Sequence, residues 1–185
     1  MRVVAGRLKG KPLRAPKGDA TRPTSDRLRE SLFNILAHGH GDPVSDAQVL
    51  DLFAGSGALG IEALSRGASF CLFVDEGAPA RGAIRENCEA LGLNGVTKLY
   101  RRDATRLGPL ERFRPFTLAF LDPPYGHGLG ERALSSLRGG GWLAPEALCV
   151  LEERADVEIP PLEGFDVVDR REQGLSALTI LRLAA

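Results

Sequence analysis

From Gln48 onward the chain repeats one pattern: a short apolar run, a turn carrying glycine, proline or an acid, then a segment with apolar residues three or four apart. The runs are Val49–Leu52, Ser69–Val74, Val96–Tyr100, Phe116–Leu121 and Ala147–Glu153. Such near-continuous apolar runs predict strands buried on both faces. The intervening segments predict helices. One follows Gly57 and places Leu59, Ala63 and Leu64 on one side. A second lies between Pro79 and Gly92, with the proline near its start and the glycine near its end, as helix capping favours. A third follows Gly128 and ends at Gly139–Gly141. Strands alternating with helices predict a mostly parallel sheet covered by helices. The tail differs. Asp166–Arg171 and Ser176–Leu183, separated by a tight Gln-Gly turn, predict an antiparallel pair.

The first 46 residues stand apart from this repeat. Residues 2–14, with Gly6 and Gly10, predict a short hairpin. A helix is predicted from about Ser25 to Ala37, capped by Thr24 or Ser25, with Leu28, Leu32, Ile35 and Leu36 as its apolar stripe. A polar linker, 39–46, follows. The expected organisation is an N-terminal extension over 1–40 and a main domain over 47–185.

Composition narrows the class. The 185 residues suit one domain with a small appendage. No apolar run is long enough to span a membrane, and no secretory leader pattern opens the chain. The three cysteines, Cys71, Cys88 and Cys149, lie in apolar or helical stretches without close pairing, which predicts reduced core residues in a cytoplasmic protein. The three histidines lack metal-ligand spacing, so no metal is expected. Net charge is formally zero, yet residues 1–36 carry nine basic side chains against three acidic ones. A local basic lobe of this kind can hold phosphates although the whole molecule is neutral.

The candidate chemistry lies where strands end. Four successive strands finish in an acid: Asp51, Asp75, Asp103 and Asp122. In open α/β sheets, ligands bind at the carboxyl ends of the strands. After the first strand, Gly55, Gly57 and Gly60 have nucleotide-fingerprint spacing, and glycines there let a ligand approach the backbone. On this reading Gly57→Val removes the ligand and spares the fold. Asp51 sharpens the assignment. A pyrophosphate gains nothing from a carboxylate at that point, whereas an ammonium or sulfonium does, so S-adenosylmethionine is favoured over NAD. Asp75 is placed for ribose hydroxyls, and Asp103 for an adenine amino group. The fourth acid opens Asp122-Pro123-Pro124-Tyr125. A planar amine is a poor nucleophile because its lone pair is delocalised. A carboxylate accepting one N–H and a backbone carbonyl accepting the other draw the nitrogen toward tetrahedral geometry. The prolines fix the backbone and remove donors. Tyr125 offers a ring on which a base can stack, which makes Tyr125→Phe a mild change.

Together, Asp51–Gly57 and Asp122–Tyr125 resemble the Rossmann-like methyltransferases that use S-adenosylmethionine. The blocks Arg2–Lys11 and Arg22–Asn34 are similar to those of the bacterial RsmD family, which methylates the exocyclic N2 of a guanine in 16S ribosomal RNA. The similarity runs in order along nearly the whole chain, and is weaker over Arg170–Leu181. It implies a class I α/β fold: a mostly parallel seven-stranded sheet, a C-terminal antiparallel hairpin and a small N-terminal hairpin-helix extension. It implies S-adenosylmethionine as cofactor, held by Asp51, Phe53, Gly55, Gly57, Asp75, Asp103 and Ala104. Catalysis falls to Asp122, Pro123, Pro124 and Tyr125, and RNA contacts to Arg7, Lys9, Lys11, Arg22, Thr24 and Arg29. The implied partner is 16S ribosomal RNA in the small subunit or an assembly intermediate, bound by a monomer. The Asp-Pro-Pro-Tyr motif is shared with adenine-N6 methyltransferases of DNA and RNA, which form the alternative. An assembly factor that only binds RNA is a further reading. An NAD-dependent dehydrogenase is disfavoured by Asp51 and by the lack of a hydride-transfer acid.

Overall fold

The computed structural model describes residues 1–18 and 24–185. Helix α1 (Asp26–Gly39) precedes the repeat β1 (Gln48–Leu52), α2 (Ala58–Ser65), β2 (Phe70–Val74), α3 (Ala78–Ala90), β3 (Thr97–Tyr100), β4 (Phe116–Leu121), α4 (Leu129–Gly139), β5 (Leu143–Arg154). Strands β6 (Phe165–Gln173) and β7 (Ser176–Leu183) close the chain. One seven-stranded sheet results, in the order β3-β2-β1-β4-β5-β7-β6. The pairs among β1 to β5 are parallel, and β7 runs antiparallel to both β5 and β6. This is the expected Rossmann-like architecture. The chain steps outward from β1 in one direction through β2 and β3, then returns to β4 on the other side. The crevice between the carboxyl ends of β1 and β4 is therefore the switch point at which such sheets bind ligands.

Burial explains the layers. Strands β1, β2 and β4 are buried along almost their whole length, because helices cover both faces. One apolar cluster joins Phe33, Ile61, Phe73, Ile84 and Phe120; the opposite one joins Leu52, Leu121, Leu134, Trp142 and Leu151. The outermost strand β6 is mostly exposed and carries Asp166, Asp169, Arg170, Arg171 and Glu172. A charged edge of this kind resists pairing with another sheet.

The N-terminal extension has no core of its own. Val3, Leu8, Leu13, Leu32, Phe33 and Leu36 are buried in the same cluster as Ile61 and Phe120. The predicted hairpin over 2–14 is a looser turn with a single bridge, Arg2 to Pro12, supported by bonds such as Val3 N–H to Lys11 O at 2.9 Å. Pro12 has no N–H, so the ladder cannot continue there. Helix α1 begins one residue after its cap, Ser25, whose hydroxyl accepts from Leu28 N–H at 3.1 Å.

The extension is fastened by a carboxylate. Glu62, fully buried in α2, accepts from Val4 N–H at 2.8 Å and Ala5 N–H at 3.0 Å. It also pairs with Arg29 at 3.2 Å and Arg66 at 2.8 Å. Arg29 is itself fully buried and also pairs with Asp26. Burial lowers its pKa, and the carboxylates of Asp26 and Glu62 oppose that shift. Glu62→Ala would leave two backbone N–H groups without their acceptor and the buried Arg29 with Asp26 as its remaining carboxylate. Removing one partner of a buried pair costs about 3–5 kcal/mol, so urea unfolding should show a loss of that size. A loss below about 1 kcal/mol, the level of a surface ion pair, would mean that this carboxylate does not hold the extension.

Candidate active site

A cleft of about 790 Å³ opens over the switch point. Its floor is the turn after β1. There Phe53 takes a left-handed backbone (φ 53°), as does Gly55 (φ 60°). A non-glycine residue in that region is uncommon and marks local strain of the sort found at ligand sites. Phe53, Gly55, Asp51, Asp75 and Ala104, expected to hold the cofactor, all line the cleft.

The two acids nearest this turn are held differently. Asp75 accepts from Gly55 N–H at 2.9 Å and Gly77 N–H at 2.8 Å, which ties the glycine turn to the end of β2. Asp51 is only 1% exposed and accepts from Gly60 N–H at 3.0 Å. Burial pushes its pKa up to about 8; the Gly60 bond opposes this shift and the nearby Asp75 reinforces it. A cation brought beside Asp51 would favour its charged form, so the donor set suits an ammonium or sulfonium ligand better than a phosphate.

Two of the expected cofactor contacts stand elsewhere. Gly57 does not line the cleft. With φ at 81°, a Cβ there would meet Phe73 at 3.2 Å and Ile84 at 3.3 Å. The glycine serves the turn and the core beneath it, so Gly57→Val strains the fold and cannot remove the ligand selectively. Gly60 likewise lets α2 approach β2, since a Cβ would lie 2.5 Å from Cys71 Sγ. Asp103 also lies outside the cleft lining, between Arg102 and Ala104, which do line it. Its Oδ1 accepts from Thr105 N–H at 2.9 Å and Thr105 Oγ1 at 2.7 Å, and these bonds lower its pKa.

The other wall is the loop after β4. Asp122, Pro123, Pro124 and Tyr125 line the cleft together with Thr24. Thr24 Oγ1 donates to Asp122 Oδ2 at 2.8 Å and lies 3.4 Å from Glu152 Oε2. Tyr125 donates its hydroxyl to Glu152 Oε1 at 2.8 Å, and Ser176 Oγ sits 2.8 Å from the Tyr125 hydroxyl oxygen. Gly126 N–H points to Glu153 Oε1 at 3.2 Å. The loop is therefore clamped by the adjacent strand β5. Glu152 and Glu153 are each 4% exposed, although in the sequence they mark only the end of a strand. The available signal was two carboxylates finishing the apolar run Leu148–Leu151.

The expected RNA contacts separate into groups. Thr24 reaches the cleft. Arg22 lies outside the described residues. Arg29 is not on the surface: its guanidinium is buried between α1 and α2, where Glu62 holds it. Arg7, Lys9 and Lys11 are exposed, but Arg7 N–H bonds to Ser65 O at the last residue of α2. The first residue of that helix, Ala58, lines the cleft. The basic turn thus sits a helix length, roughly 12 Å at 1.5 Å per residue, from the cleft end. Among the described residues no cluster of three metal-ligating side chains is found, and no helix is long and apolar enough to cross a membrane.

A Rossmann-like sheet with acids at the β1, β2 and β4 ends is the arrangement of a class I methyltransferase. The family model described as Conserved hypothetical protein 95 matches residues 1–182, and the chain belongs to this family, the RsmD methyltransferases. The Bacillus subtilis protein YlbH is 38% identical over 185 residues, covering 98% of each chain. An Escherichia coli K12 protein named Ribosomal RNA small subunit methyltransferase D is 36% identical over 160 residues, 86% of this chain and 78% of that one. The solved structure of yhhF from Escherichia coli matches with a TM-score of 0.83 at 33% identity, covering 100% of this chain and 98% of that one.

Asp51 supplies a pH signature. The folded protein keeps its proton up to about pH 8, whereas an ordinary aspartate loses it near 3.8. Between these values the folded state binds more protons than the unfolded one, so this residue makes stability fall as pH rises. Asp51→Asn keeps an acceptor for Gly60 and removes the titration. Its Tm relative to the parent should rise steadily from about pH 5 to about pH 8. A difference that stays flat across this range in calorimetric scans would mean that Asp51 ionises normally.

Proposed function

We propose that the protein methylates ribosomal RNA, transferring the methyl group of S-adenosylmethionine to the exocyclic N2 of a guanine in 16S RNA of the small subunit. The observation that carries this reading is the clamped Asp122–Tyr125 loop facing the acid-lined turn across one cleft. The named Escherichia coli relative supports the small-subunit RNA as substrate.

Asp51 and Asp75 are the groups to hold the cationic and ribose parts of the cofactor, with Phe53, Gly55 and Ala104 against its remainder. When bound, the cofactor supplies an electrophilic methyl group on a sulfonium. Asp122 accepts one N–H of the guanine amine, and a carbonyl of the Asp122–Pro123 stretch accepts the other. The amine then presents its lone pair to the methyl carbon. In the transfer an N–C bond would form as the C–S bond breaks, and Asp122 or water would take the amine proton. Positioning is the main contribution, because alignment of reacting groups supplies several kcal/mol. The base must first leave its stack, at a cost of roughly a few kcal/mol. Stacking on Tyr125 offsets about 1–3 kcal/mol of that. A ribosomal RNA substrate puts the reaction in the bacterial cytoplasm.

The Tyr125 hydroxyl changes one expectation. Its bonds to Glu152 and Ser176 fix the ring plane, so Tyr125→Phe is not a neutral change. Phenylalanine retains the stacking face and loses the anchor. Turnover should fall about tenfold, the equivalent of one hydrogen bond of roughly 1.4 kcal/mol. Glu152→Ala should cost a similar amount alone and add little to Tyr125→Phe, since both break the same bond.

Asp122→Ala tests the whole reading. Transfer of labelled methyl to small-subunit RNA should drop by at least about a hundredfold, as for loss of a general acid or base. Calorimetric affinity for S-adenosylmethionine should stay within a few-fold of the parent. Full transfer by this variant would remove Asp122 from the chemistry.

A further inference from the structure

A second groove, of about 1030 Å³, runs between α1 and the β6–β7 turn. One wall is the outward stripe of α1: Arg27, Ser31, Asn34 and His38, at helical spacings of three and four. The opposite face of the helix, with Arg29, Leu32, Phe33 and Leu36, is buried. The other wall includes Arg171 and Gln173. A Gln173 to Ser31 side-chain contact joins the two walls. These side chains are rich in hydrogen-bond donors, and Glu30 is the one carboxylate among the described residues lining the groove. Arg27 is exposed and has no acidic partner among the described residues. Arg171 gives its Nε to Asp169 at 3.0 Å, with the side chain still 53% exposed.

The groove adjoins the cleft. Thr24 lines the cleft and its neighbour Ser25 lines the groove. On the facing side, Ser176 lines the groove and lies 2.8 Å from the Tyr125 hydroxyl. A nucleotide strand whose base entered the cleft beside Tyr125 would meet the groove at this junction. Phosphodiester and ribose oxygens are acceptors. They match a channel with two arginines, amide and hydroxyl donors and a single acid. At the groove's hairpin end, Leu175 is 84% exposed and offers apolar surface to an unstacked base.

We infer that the groove between α1 and the β6–β7 turn binds the single-stranded RNA segment flanking the target nucleotide, through its phosphates. The inference rests on the proposed function, because it takes the cleft beside Tyr125 as the place where the base is methylated. It assigns the strand path to Arg27 and Arg171, in addition to any role of the basic turn at Arg7, Lys9 and Lys11.

The test uses the full-length protein, a fluorescein-labelled transcript of small-subunit ribosomal RNA and assembled small subunits, with anisotropy measured over a salt series. For the double variant Arg27→Ala/Arg171→Ala, Kd for the transcript should rise roughly tenfold or more, as two charge-assisted contacts are lost. The salt slope should shrink by about 1.4, or roughly 0.7 per phosphate contact on a single strand. Asn34→Trp obstructs the groove without removing charge and should raise Kd while keeping most of the slope. S-adenosylmethionine affinity and Tm should match the parent in both. Unchanged Kd and slope in both variants would overturn the assignment. So would weakened binding to assembled subunits with transcript binding intact, which would give the groove to a ribosomal protein. Failure of the parent itself to methylate RNA would instead refute the proposed function. Parent methylation with unaltered variants would refute the groove alone.

Discussion

The arrangement at the cleft depends on Glu62, a carboxylate buried in α2. It binds the backbone of Val4 and Ala5, the guanidinium of Arg29 in α1 and that of Arg66. A buried charge persists only when its lone pairs are met, and here three separate segments meet them. The consequence reaches the cleft. With α1 pinned on the sheet, its N-terminus and the preceding Thr24 are brought to Asp122 and Glu152. The extension is thus part of the cleft wall as well as a surface appendage.

From that wall inward, the cleft is a set of acids with distinct tasks imposed by their surroundings. Asp51, nearly sealed from water, is held toward its protonated form and is ready to answer a cation. Asp75 accepts one backbone N–H on each oxygen and sets the turn. Glu152 and Glu153 clamp the Asp122–Tyr125 loop from the neighbouring strand. A loop carrying two prolines and two side-chain anchors would undergo little reorganisation on receiving a base, and under the proposed function such preorganisation would be the main resource of a transfer with little covalent chemistry for the protein to perform.

Much of this was legible in the chain. Apolar runs that end in acids identify β1, β2, β3 and β4 and put Asp51, Asp75 and Asp122 near one another, because parallel strands gather their carboxyl ends on one edge. Local signals also set the ends of α1 and α3. What could not be read was anything decided by contact between distant segments. Arg29 looked like a surface cation, since its partner Glu62 lies 33 positions away. Gly57 looked like a ligand contact, since only the fold puts Phe73 and Ile84 beneath it. Glu152, Glu153 and Ser176 had no motif of their own. Their roles arise from the pairing of β5 with β4 and β7.

The most direct measurement identifies the methylated nucleoside. Small subunits from a bacterial strain lacking its own member of this family would be incubated with the protein and isotope-labelled S-adenosylmethionine. The RNA would then be digested to nucleosides and analysed by mass spectrometry. Label is expected in N2-methylguanosine of 16S RNA and in no other nucleoside. Label in N6-methyladenosine, or none in RNA from either naked or assembled subunits, would contradict it.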